Sequence, residues 1–195
     1  MLDLKNLHNK YFLMRHGESK ANAAGIILSS LADGQTDAFG LTDKGFEQAK
    51  QAAQQADFLN SDTIIYSSPF SRCRQTTEVV KEVLGVKSDI VFDERMRERW
   101  FGELEKQADT TYQKVWDHDH QDFNHRKYDV ESVAEVAQRM REVIQDLEKQ
   151  HSGKTILLVA HGDPLQILLS SFNPALYLKH RMVEHLEKAE IRELK

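Results

Sequence analysis

The sequence predicts an α/β fold of three layers, with helices on both faces of a mostly parallel central sheet. Three observations predict it. Four short apolar runs, YFLM (11–14), TIIY (63–66), DIVF (89–92) and TILLV (155–159), have the length and composition of strands covered on both faces. Stretches with apolar residues at i+3 and i+4 spacing lie between them. Strand and helix therefore alternate, as in a parallel sheet joined by helical crossovers.

After the first run, FEQAKQAAQQADFL (46–59) repeats apolar positions at Phe46, Ala49, Ala53 and Ala56, and either Thr42 or Asp43 can cap its start. After TIIY, Ser68 and Pro69 suit the N-cap and first helical position, Val79, Val80 and Val83 continue the apolar face, and Gly85 closes the helix. Ser132 and Glu135 form a capping box before a stripe of Val133, Val136, Met140, Val143 or Ile144, and Leu147, and Gly153 ends that helix. Asp163 and Pro164 suit the cap and first turn of a helix after TILLV. The tail from 175 to 195 is charged, and its periodicity alone allows a helix.

With 195 residues, the chain is expected to form one domain over 1–195. Its composition, 40% hydrophobic and 29% charged, is that of a folded soluble protein, and no apolar run approaches the about 20 residues that span a bilayer. The opening MLDLKNLHNK lacks the apolar core of a secretory signal and Cys73 is a lone cysteine, so a cytoplasmic protein without disulfides is expected. A net charge of −5 argues against nucleic acid as a partner, but allows a small anion where arginines cluster.

In such sheets ligands bind beyond the carboxyl ends of the strands. There this chain places RHGES (15–19), SSPFSRCRQT (67–76), DERMRERWFG (93–102) and AHGDP (160–164). Two His-Gly pairs, at His16 and His161, come to the same edge. Arg15 and Arg72 would form an anion pocket, since the guanidinium fork matches phosphate oxygens. Their charge and poor solvent access favour a neutral imidazole, which is a nucleophile. Attack on a phosphomonoester gives a phosphohistidine, and the departing oxygen needs a proton from an acid such as Glu98.

These motifs resemble the histidine phosphatase superfamily, also called phosphoglycerate mutase-like. RHGES with Asn22 looks like its opening signature, LTDKGFEQA like its second segment, SSPFSRCRQTT like its arginine stretch, RERWFGELE like its proton-donor segment and VAHGDP like its second histidine motif. The resemblance implies a three-layer fold, His16 as nucleophile, and Arg15, Asn22 and Arg72 as the phosphate pocket. It also implies Glu98 as general acid and base, His161 as electrostatic partner with Gly162 beside it, and a terminal edge strand at AEIREL (189–194). It implies a small phosphorylated substrate, no metal, no diffusible cofactor, and a cap over about 103–130 that sets specificity. The phosphatase branch is favoured over a phosphoglycerate mutase, because Phe101 and Asp109 stand where that branch is expected to carry a tyrosine and a lysine. A catalytically inactive phosphate-binding module is the third reading. The substrate's identity and the oligomeric state are not legible.

Other features take plainer readings. Glu18 suits a surface charge, the alternating Arg95, Arg97 and Arg99 either a solvated edge or a contact with substrate, and Cys73 a buried helix face. SGKT (152–155) leads into a strand rather than following one, and lacks the earlier glycine of a P-loop. His118, His120 and His125 lie among carboxylates without metal-site spacing and suit an insertion of mixed charge.

Overall fold

The structure, a computed structural model, describes residues 6–177 and 179–195. Its strands are β1 (Lys10–Arg15), β2 (Ile64–Ser67), β3 (Val91–Phe92), β4 (Thr155–Ala160) and β5 (Ile191–Glu193). Its helices are α1 (Lys20–Ala23), α2 (Leu31–Gly34), α3 (Asp43–Gln55), α4 (Ser71–Leu84), α5 (Tyr112–Asp119), α6 (Val133–Gln150) and α7 (Gly162–Phe172). The five strands lie in the order β3-β2-β4-β1-β5, all parallel except β5, which runs against β1. The edge strand implied for the tail is thus present.

The side-chain alternation of β1 and β4 divides the core into two. Tyr11, Leu13, Ile156 and Leu158 face α6 and α7 through Met140, Ile144 and Leu168, while Phe12, Met14, Leu157 and Val159 face α3 and α4 through Ala49, Ala53 and Val80. Both faces are apolar, which is why the runs are continuous rather than alternating. β1 and β4 end in register, Arg15 opposite Ala160, so His16 and His161 leave the sheet side by side. Local signals act as the sequence suggests at several helix ends. Thr42 accepts from Gly45 N at α3, the Ser132–Glu135 box closes both ways at α6, and Gly85 takes φ +63 after α4.

Five expectations are corrected. α4 begins at Ser71 with Phe70 as its uncapped N-cap, because the Ser68 hydroxyl turns to His161 instead. α7 begins at Gly162, so Asp163 lies within the first turn and its carboxylate meets Arg99, Arg181 and Trp116. DIVF yields a strand only at Val91 and Phe92, which stay 41% and 44% exposed because β3 is a sheet edge paired with β2 alone. Phe46 is half-exposed and leaves the α3 stripe to the alanines.

Arg99 is not on a solvated edge. It is fully buried, its two terminal nitrogens donate to the two oxygens of Asp119 at 2.7 Å each, and its Nε donates to Glu131 O at 2.7 Å. Asp163 lies 3.5 Å away, and His125 reaches the same Asp119 at 2.7 Å. This buried group ties α5 to α7 and to the turn after β3. Truncating one partner strands the remaining charge in a dry interior. Arg99→Leu is expected to cost about 3–5 kcal/mol in urea unfolding; a loss below about 1 kcal/mol would show that solvent reaches the site.

A close contact sets the loop after β1 on α3. A Cβ on Gly17 would lie 2.3 Å from Gly45 O, and one on Gly45 would lie 2.1 Å from Glu18 O. Only glycine permits this approach. Thr42 N donates to Glu18 O at 2.9 Å and completes the joint.

Candidate active site

Arg15, His16, Asn22, Arg72, Glu98 and Gly162 line one cavity of about 230 Å³ at the carboxyl ends of β1, β2 and β4. His161, fully buried, joins them through Arg72, and its ring centroid lies 5.2 Å from that of His16. All seven residues expected at the site are therefore brought together.

The hydrogen bonds fix both imidazole tautomers. Gly17 O can only accept, so His16 Nδ1, 2.7 Å away, carries the proton. Arg72 can only donate, and its Nε lies 3.0 Å from His16 Nε2 and 3.1 Å from His161 Nδ1, so both of those nitrogens present lone pairs. A second Arg72 nitrogen donates to His161 Nδ1 at 2.9 Å and to Leu28 O at 3.1 Å. His161 Nε2 is then the protonated nitrogen and donates to Ser68 Oγ at 2.8 Å. Burial, reinforced by the Arg72 and Arg15 charges, holds both histidines well below the usual imidazole range and hence neutral.

Glu98 is the carboxyl group beside this pair. Its Oε1 accepts from Arg99 N at 2.9 Å, while Oε2 stands 3.6 Å from Arg72 and 3.7 Å from His161. Burial pushes its carboxyl up to about 7, partly offset by Arg72 and reinforced by Asp163. Arg15 donates to His185 Nε2 at 2.7 Å and to Leu186 O at 2.9 Å. Arg15 Nε and one terminal nitrogen of Arg72 are buried N–H donors without a partner among the described residues, the condition an oxyanion in the cavity would relieve. Asn22 spends its oxygen on Ser19 N, capping α1, which leaves its NH₂ for the cavity.

Sequence reasoning did not assign Ser68, Ser19, His185, Lys188, Tyr112 or Trp116 to the site. Ser68 follows β2 at the edge where ligands bind, a signal masked by its suitability as a cap. His185 and Lys188 come from the charged tail, where no periodicity marks them. Tyr112 and Trp116 stack at 5.2 Å on α5, and Arg181 lies 3.7 Å over the Trp116 ring. Glu18 holds Lys44 at 3.0 Å and Lys188 at 3.3 Å, as a charge outside the cavity. Cys73 is fully buried 3.7 Å from His161 Nε2, and burial pushes its thiol up to about 12, so it is no nucleophile.

The fold and site define a three-layer α/β protein with two neutral histidines and two arginines gathered at the carboxyl ends of its parallel strands. The chain belongs to the histidine phosphatase superfamily (branch 1), whose family model matches residues 11–195. Its relatives include an Escherichia coli protein named probable phosphoglycerate mutase GpmB, 34% identical over 165 residues that make up 82% of this chain and 73% of that one. Among solved structures, phosphoserine phosphatase from Entamoeba histolytica, in complex with 3-phosphoglyceric acid, is 27% identical. It aligns with a TM-score of 0.69 over 95% of this chain and 89% of its own. Mycobacterial glucosyl-3-phosphoglycerate phosphatase shares the fold at 20% identity, with a TM-score of 0.75 over 94% of this chain and 88% of its own.

Proposed function

We propose that the protein is a phosphomonoesterase that hydrolyses a small phosphorylated metabolite through a phosphohistidine on His16. The observation that carries this is the Arg72 N–H shared between His16 Nε2 and His161 Nδ1, which turns two neutral imidazole lone pairs toward one guanidinium. A phosphoryl group entering there meets Arg15, Arg72 and the Asn22 amide as donors for its oxygens. His16 Nε2 forms the bond to phosphorus as the ester P–O bond breaks, and the leaving oxygen takes the Glu98 proton. Water then attacks the phosphohistidine, gives its proton to Glu98, and the N–P bond breaks to release phosphate. His161, held by Ser68 and Arg72, supports the charge of the transferring group.

The proton inventory makes a pH prediction. Glu98 must be protonated for the first step, and its carboxyl titrates near 7. With an alkyl phosphate, kcat/KM is therefore expected to fall as pH rises above about 7. Glu98→Gln should lower kcat on the order of 10²–10³-fold and flatten that alkaline limb. Survival of the limb in the variant would assign it to another group.

A mutase reading is second, favoured by the name of the E. coli relative. Against it, the cavity presents Phe101 and the carboxylate of Asp109, neither of which complements the carboxylate of a phosphoglycerate. Interconversion of phosphoglycerate isomers in a coupled assay, with a bisphosphoglycerate primer, would reverse the order.

A further inference from the structure

One charged side chain in the cavity is left unused by the phosphoryl chemistry. Asp109 opens the helical turn Asp109–Thr111, and its backbone N–H is anchored to Gly25 O at 2.8 Å, beside the bridge between Ile26 and Ala108. The other charges lining the cavity are accounted for. Arg72 faces Glu98 at 3.6 Å, Lys188 faces Glu18 at 3.3 Å, and Asp163 meets Arg99 at 3.5 Å and Arg181 at 3.6 Å. Arg15 keeps its free N–H for an oxyanion. Asp109 is exposed at the mouth of this cavity of about 230 Å³, and its carboxylate has no ion-pair or side-chain hydrogen-bond partner among the described residues.

A water-facing carboxylate at the mouth of a cavity that offers free N–H donors to an oxyanion has a definite chemical complement. It repels a second acidic group on the ligand and attracts an ammonium. Ile26, Leu28 and Tyr112 line the same cavity and supply apolar surface for a short carbon chain. Resting on the phosphomonoesterase reading, we infer that the cavity selects phosphate monoesters of short amino alcohols, with Asp109 accepting hydrogen bonds from the ammonium. Asp109 is then a specificity residue: it touches the leaving alcohol and takes no part in bond breaking.

The test compares kcat/KM for 2-aminoethyl, ethyl and 2-carboxyethyl phosphate in the wild type, Asp109→Asn and Asp109→Lys. The wild type is expected to prefer the amine over ethyl phosphate by about fivefold, the upper range for an ion pair to an exposed carboxylate, and to use the carboxylate least. Asp109→Asn should bring amine and ethyl within about twofold of each other, and Asp109→Lys should invert amine and carboxylate. A measurement without a variant supports these: near 1 M salt the wild-type amine preference should shrink toward unity. Equal use of ethyl and aminoethyl phosphate by the wild type, or an unchanged order in Asp109→Lys, overturns the inference and leaves the phosphomonoesterase intact. Failure of the wild type on all three esters and on p-nitrophenyl phosphate overturns the phosphomonoesterase reading, and the inference falls with it.

Discussion

His16→Ala is expected to lower turnover of p-nitrophenyl phosphate by on the order of 10⁴-fold or more. The argument is one of replacement. Nε2 of His16 has its lone pair directed at the phosphoryl position while Nδ1 is held by Gly17 O, and no other nucleophile stands beside it. Cys73 is buried with its thiol pushed up to about 12, and His161 lies fully buried outside the cavity lining with its Nδ1 lone pair held by two Arg72 nitrogens, where the lone pair of His16 meets one. The same variant should show no base-stable, acid-labile label after brief exposure to ³²P-labelled substrate, whereas the wild type should. Because His16 follows β1 and contributes no apolar packing, the far-ultraviolet circular dichroism is expected to be unchanged. Turnover within tenfold of wild type would refute a phosphohistidine on His16, and a label persisting in the variant would move it elsewhere. A wild type that neither labels nor releases phosphate would instead favour the inactive binding module.

Arg72→Leu is expected to lower kcat/KM on the order of 10³-fold, the cost of removing a preorganised donor from a water-poor site with some addition for its second role. That role is structural within the site: one guanidinium touches His16, His161 and Leu28 O, and lies 3.6 Å from Glu98. Its loss leaves both imidazole lone pairs unoriented and removes the positive charge that opposes the upward push on Glu98. The alkaline limb of the pH profile should therefore move to higher pH in this variant, since without Arg72 the carboxyl holds its proton longer. Arg72→Lys keeps the charge but not the fork and is expected to recover only a minor part of the activity. A Leu variant with kcat/KM near wild type and an unmoved limb would place the phosphoryl group away from Arg72.

How legible each part was follows from where its determinants lie. β1 and β4 read directly, because burial of both faces makes Tyr11–Met14 and Ile156–Ala160 continuous apolar runs; β3 did not, since at a sheet edge two residues suffice and both remain exposed. The α6 cap is a contact between Ser132 and Glu135, three positions apart, so it is written locally. The α4 start is not, because the Ser68 hydroxyl is claimed by His161, 93 residues away. Arg99 shows the same limit. Its alternation with Met96 and Glu98 points to solvent, while Asp119 and Asp163, which bury it, come from later elements that only the fold brings near. Except for Glu98, which lies in the loop after the Glu94–Met96 turn, the residues expected at the site arrive at one sheet edge because they sit at strand ends or in the first turns of helices. His185 and Lys188 arrive there from a tail whose path the periodicity did not define. The placement of β5 came from resemblance.

The shared Arg72 N–H has a further consequence for the protein at rest. It occupies the lone pair of His16, so an acylating or alkylating agent encounters an imidazole already engaged on both nitrogens. Only a ligand that offers oxyanions to Arg72 can draw the guanidinium away and uncover Nε2. Discrimination then begins before any fit of the alcohol is tested, at the step where the ligand unlatches the nucleophile, and phosphate esters carry the key that carboxylic esters lack.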